Sequence, residues 1–216
     1  MKPRAAASLD LAAVDDHDLE DEATYRRLEF ATFNFSGRSA ESVEFEQCRF
    51  RNVDFGGTKL TRATFSDCLF ENGNMANLRV DKSSMLRVKL SVLRITGVHW
   101  IDGVLREVMV SECRADMTSF RFSDFHNVMF EGCNLTQADF QNADVSGVQF
   151  INCDLSGAQF SQAKMEGTRF ANCVLAGIGG VTSFAGAIVA SQDLVGLSYT
   201  LAAALGIHIE SARGDD

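Results

Sequence analysis

The segment Cys133–Gln162 reads CNLTQ-ADFQN-ADVSG-VQFIN-CDLSG-AQFSQ, six consecutive blocks of five. Each block opens on a small residue, carries Leu, Phe or Val at its third place and ends on Gly, Asn or Gln. The same frame extends in both directions. Every fifth residue from Phe30 to Leu175 gives thirty positions; 28 are large apolar residues and the other two are Ala40 and Ala115. Fourteen of the 17 Phe fall in this one series. An amphipathic helix needs a period near 3.6 and a simple strand a period of 2, and neither fits. A six-residue period, as in hexapeptide β-helices, drifts out of phase within a few units. The period is five.

Two places before each large residue stands a small one, mostly Ala, Val, Cys, Thr, Ser or Gly, with Arg38 the single charged exception. All six Cys occupy this position. Residues two apart on an extended segment point to the same side, so each block sends one small and one large residue inward. The remaining positions face out or turn a corner, and many of them are Gly or Asn, which tolerate tight turns.

Units such as Ala138-Asp139-Phe140-Gln141-Asn142 and Cys153-Asp154-Leu155-Ser156-Gly157 resemble the pentapeptide-repeat family. The resemblance covers about 150 residues and is weakest over Asn74–Asp116. It implies an all-β solenoid, a right-handed quadrilateral β-helix with four units per coil. Thirty units then give about seven and a half coils, a rod of roughly 35 Å at ~4.8 Å per coil. Residues 20 apart stack on one face under this reading. One such column is Phe30, Phe50, Phe70, Leu90, Val110, Phe130, Phe150, Phe170. Cys48 and Cys68 share a column, and Cys113, Cys133, Cys153 and Cys173 share one on the adjacent face. The expected structural core is therefore Phe50, Phe70, Phe130, Phe150 and Phe170 with Cys133 and Cys153.

Composition agrees. The single Pro, Pro3, lies outside the repeats, as a continuous ladder that needs its N–H groups requires. The Phe and β-branched content excludes a disordered chain, and no run of 18 apolar residues exists to span a membrane. The net charge of −9 argues against direct nucleic-acid binding through phosphate neutralisation. The N-terminus lacks the apolar core of a secretion signal, and six Cys are too few for a disulfide scaffold. A cytoplasmic protein with reduced thiols is expected.

The frame divides the chain into an acidic segment 1–22, expected to be flexible, a β-helix over 23–177, and a C-terminal cap or dimerisation segment over 178–216. Within the last, a helix is expected at about 192–205, with Ser191 as N-cap, Asp193 complementing the dipole and Gly206 closing the end. Leu194, Leu197, Leu201 and Leu205 would lie on one face of it.

No chemistry-bearing constellation emerges. The thiols stack on an interior wall without the close pairs that zinc sites use, and His17, His99, His126 and His208 are scattered in phase. No catalytic, cofactor or metal residues are expected, and the chain is read as a non-enzyme. Among outward charges, Asp124 and Asp144 share a column and Asp139 and Asp154 lie on adjoining faces. They form a candidate acidic partner surface, or they support their own turns locally. Lys59, Arg79 and His99 form a basic column, read as a solvated face. Characterised bacterial members similar to this chain are acidic dimers that mimic duplex DNA and bind DNA gyrase and related type II topoisomerases, protecting them from quinolones or toxins. The resemblance thus implies a homodimer formed through the C-terminal segment and a topoisomerase partner. The nearly neutral N-terminal half of the rod, with 12 acids and 12 bases over residues 28–119, departs from that pattern. A scaffold for an unrelated protein partner is the alternative.

Overall fold

A square coil must turn its chain at four corners, and the backbone at those corners is the first constraint on the sequence. In the structure, a computed structural model describing residue 3 and residues 8–208, one position in each unit bears that constraint. It is the second residue after the inward centre. All 32 such positions from residue 22 to residue 177 have φ between 48° and 72°. Eight are Gly and seven are Asn, the residues that enter this left-handed region at least cost. The rest include Val92, Met117 and Phe122. The corner is therefore imposed by the repeat as a whole and not by the residue that occupies it.

Between corners the chain is extended, and each segment pairs in parallel with the one 20 residues later, Phe30 with Phe50 and Phe50 with Phe70. Three faces form sheets of ten, six and four strands. The fourth is joined by single bridges running Asn34, Asp54, Asn74, Arg94, Arg114, Asn134, Asp154 and Val174. The result is the expected quadrilateral β-solenoid with one short C-terminal helix.

It is longer than the thirty units alone, about nine turns, because both flanks add to it. Part of the N-terminal segment that the sequence suggests is flexible is built into the rod. Asp10–Leu11 forms the first strand of the ten-stranded sheet, Leu19 is buried, and the Tyr25 hydroxyl donates to the Asp18 carbonyl. At the other end Ile188–Val189 forms the last strand, pairing with Arg169 and Phe170 at a spacing of 19 residues instead of 20. One α-helix among the described residues, α1, spans Leu194–Ala204.

The interior is a stack of rings. Phe50 and Phe70 lie 4.3 Å apart at 4°, Phe130 and Phe150 5.3 Å apart at 10°, and Phe150 and Phe170 5.2 Å apart at 8°. Phe184, outside the five-residue frame, continues this column on Phe170 at 9°. Such stacking adds about 0.5–1.5 kcal/mol per pair beyond burial. The inward series holds no Phe between Phe70 and Phe120. There Met75, Met85, Leu90 and Trp100 fill the rod and leave an apolar cavity of about 30 Å³. Gly103 belongs to this stretch: a Cβ there would run into the Trp100 indole and come within 2.9 Å of the Ser83 carbonyl.

Candidate protein-interaction surfaces

The inward small column is structural. Each thiol lies close to the carbonyl of an inward residue in the coil below, as from Cys133 to Val110 (3.4 Å) and from Cys153 to Phe130 (3.5 Å). Thr58 and Thr168 donate through hydroxyls in the same way to Phe35 and Val145. The carbonyl gives a buried hydroxyl or thiol its partner, which accounts for Cys, Ser and Thr alternating there with Ala and Val. Burial pushes the Cys173 thiol up to about 11, and the hydrogen bond from its neighbour Cys113 helps to raise Cys133 to about 12. These are neutral thiols. No group of three or more His, Cys, Asp or Glu among the described residues could hold a metal.

The four candidate carboxylates occupy three faces. Asp124 and Asp144 are bridged to each other on one, while Asp139 and Asp154 lie on two others, in different bridge columns. Three of them act on their own turns. Asp139, Asp144 and Asp154 accept the backbone N–H two residues on, from Gln141, Ser146 and Ser156, at 2.9–3.1 Å. Asp144 also pairs with Lys164 at 3.3 Å and Asp139 with Arg121 at 3.7 Å. Burial alone would raise the Asp144 carboxyl, but the Ser146 and Lys164 hydrogen bonds outweigh it and leave the group below its ordinary value. Of the four, Asp124 alone is exposed, and the other three are half-buried.

The C-terminal helix departs from expectation in its capping. The N-cap is Asp193, and its side chain makes no capping bond. It is buried and accepts the Cys173 N–H at 2.9 Å, fastening the helix to the last coil. Gly206, at φ 72°, closes the far end as expected. The leucines do not share one environment: Leu197 is buried and Leu201 packs against the core, whereas Leu194 and Leu205 are exposed. Val195, Tyr199 and Ile207 join them at the surface, at 70%, 62% and 56% exposure. One side of α1 covers the rod end and another presents apolar side chains to solvent.

A second surface feature lies halfway along the rod, on the face of the four-stranded sheet. Lys59, Arg79 and His99 stand in register on successive strands. They line a shallow trough of about 380 Å³ that adjoins another of about 520 Å³ lined by His99, Ile101, Met117 and Phe122. The basic column was legible in the sequence. The apolar end was not, although Phe122 is one of only three Phe outside the inward series, at a corner position.

A family model described as a pentapeptide repeat region matches residues 43–120 and 111–179. The chain belongs to the pentapeptide-repeat family. Pentapeptide-repeat proteins also appear among similar solved structures. A trypsin-treated form of QnrB1, a plasmid-mediated fluoroquinolone resistance protein, is 20% identical over 90% of this chain and 100% of its own, with a TM-score of 0.45. HetL, involved in heterocyst differentiation regulation in the cyanobacterium Nostoc, is 14% identical over 78% of this chain and 85% of its own, with a TM-score of 0.30. A pentapeptide-repeat protein from the Arabidopsis thaliana thylakoid lumen is 22% identical over 53% and 67%, with a TM-score of 0.28. No curated protein matches the sequence. These likenesses carry no partner or activity across. No helix among the described residues is long and apolar enough to cross a membrane.

Proposed function

We propose that this pentapeptide-repeat protein is a non-enzymatic interaction rod that self-associates through its C-terminal helix and presents its faces to a protein partner. The observation that carries this reading is the exposed apolar set Leu194, Val195 and Tyr199 on α1 and Leu205 just after it, on a molecule whose interior is packed with side chains. A packed solenoid has no room for a substrate, so its function lies on the surface. Apolar side chains at its capped end are the kind that a second copy covers. Sedimentation of the full chain should give twice the chain mass, and Val195→Asp with Tyr199→Asp should give a monomer with unchanged far-UV circular dichroism. A monomeric parent protein would refute self-association.

DNA mimicry towards a type II topoisomerase is the second reading, favoured by the net charge of −9 and by the family resemblance. Against it, three of the four candidate carboxylates are engaged in local turns, and the four are spread over three faces. A scaffold for a different protein therefore fits the charge pattern better. A gyrase supercoiling and cleavage assay, with and without a fluoroquinolone, separates the two. Unchanged activity and drug response at micromolar rod protein eliminate the topoisomerase partner.

A further inference from the structure

The mid-rod trough combines features that each oppose stability in the isolated chain. Lys59 and Arg79 stand on adjacent strands about 4.8 Å apart, and like charges so placed repel. Neither these two nor Lys82, at the next corner, has an ion pair among the described residues, whereas nine other Lys and Arg side chains do. On the outward positions from residue 59 to residue 102 of this face, Arg62 is paired with Glu41, which leaves Lys59, Arg79 and Lys82 opposing Asp81 and Asp102. The face is locally positive on a chain of net charge −9. One rung further, Met117 and Phe122 are 54% and 53% exposed, and both sit at left-handed corners where a long or bulky side chain is disfavoured. Repulsion, backbone strain and apolar exposure thus coincide in one continuous groove, where His99 and Ile101 line both halves.

We infer that this trough is the docking site for an acidic amphipathic α-helix of a partner protein, an inference that rests on the interaction-rod reading above. The repeat lengths match. Successive rungs lie at about 4.8, 9.6 and 14.4 Å along the rod. Helix positions i+3, i+7 and i+10 lie at about 4.5, 10.5 and 15 Å from position i. Carboxylates at i, i+3 and i+7 meet Lys59, Arg79 and His99, and a large apolar residue at i+10 seats against Met117 and Phe122. Arg121, 5.7 Å from the Phe122 ring centroid, closes that end. Asp81 and Asp102, flanking the cations, penalise a helix rotated by a quarter turn and so fix its orientation. A nucleic acid is disfavoured because its phosphates would meet the net negative rod and leave the apolar half of the groove uncovered.

The test uses the full chain and a fluorescein-labelled Ala/Gln helix of about 15 residues, with Glu at i, i+3 and i+7 and Trp at i+10, read by fluorescence anisotropy. Micromolar binding is expected, at least tenfold weaker for the same composition with the glutamates scattered around the helix. Lys59→Glu with Arg79→Glu, and separately Phe122→Asn, should each weaken binding at least tenfold, with the thermal midpoint and the sedimenting mass confirming an intact, self-associated rod. No binding up to millimolar protein, equal binding of the scrambled helix, or tighter binding of a duplex oligonucleotide would overturn the inference. Because self-association is measured separately, its loss and the loss of this site are distinguishable.

Discussion

A phenylalanine in this rod is either a structural necessity or a local cost, according to its place in the unit. Phe150 is fully buried between Phe130 and Phe170, so Phe150→Ala removes a ring from both stacks and should cost about 3–5 kcal/mol in urea denaturation. Phe122 is half exposed at φ 59°, so Phe122→Asn should leave stability unchanged or raise it. Val92 is the sharper case, a β-branched residue at φ 55° and 51% exposed. Val92→Asn should gain about 1 kcal/mol by relieving the left-handed strain. Val92→Gly should gain less, because Gly loses more freedom on folding. A destabilised Val92→Asn would show that the corner side chain makes a contact worth more than its strain.

The elements of this fold are short and depend on bonds between coils. Asp193 exemplifies this, since it holds α1 to the rod by accepting the Cys173 N–H. Asp193→Ala leaves that N–H buried and unpaired, at a cost of about 1–3 kcal/mol. The expected result is faster proteolytic cleavage within 190–207 while the rod's far-UV spectrum persists. Asp116 links two coils in a second way. Burial pushes its carboxyl up, but hydrogen bonds from Thr96 (2.8 Å) and Arg114 (3.1 Å) more than reverse this and hold it below the ordinary value. A depressed folded pKa gives stability that is complete above the unfolded pKa near ~3.9 and lost as pH falls through the folded value. The urea-midpoint difference between the parent and Asp116→Asn should accordingly be constant near neutrality and shrink as pH falls below the unfolded value. The inward series was legible at this scale because burial acts on each unit alike, so Phe50, Phe70, Phe130, Phe150 and Phe170 announce themselves by period. The environment of Leu194 and Leu205 was not, because helical periodicity locates a stripe but not how far the rod end reaches across it. Asp139, Asp144 and Asp154 were ambiguous for a related reason, since an Asp that caps a turn and an Asp that meets a partner occupy the same place in the unit.

At the scale of the whole molecule the coil is the unit of exchange. Deleting residues 131–150 removes one turn of 20 and restores every column, so the shortened protein should fold and lose about 4.8 Å of length by small-angle scattering. Deleting residues 146–150 instead keeps every corner in phase but advances all later columns by one face, placing Phe160 and Phe170 on the wrong neighbours. That variant should be markedly less stable than the longer deletion, an inversion of the usual relation between deletion size and damage. Equal stability of the two would mean that column identity is irrelevant and that only the five-residue phase is required.

The 20-residue regularity breaks at both ends of the rod, with Leu28 opposite Asp10 at 18 residues and Val189 opposite Phe170 at 19. A parallel solenoid has two complementary open ends, and identical ends that fit one another propagate head to tail into a filament without closure. Here α1 lies beyond the last strand, with Leu197 and Leu201 packed against the core, and covers that end. The protein therefore carries its own length stop. New turns can be added by duplication within the rod but not by extension at its tip, and a variant with the helix removed is the one to watch for fibres.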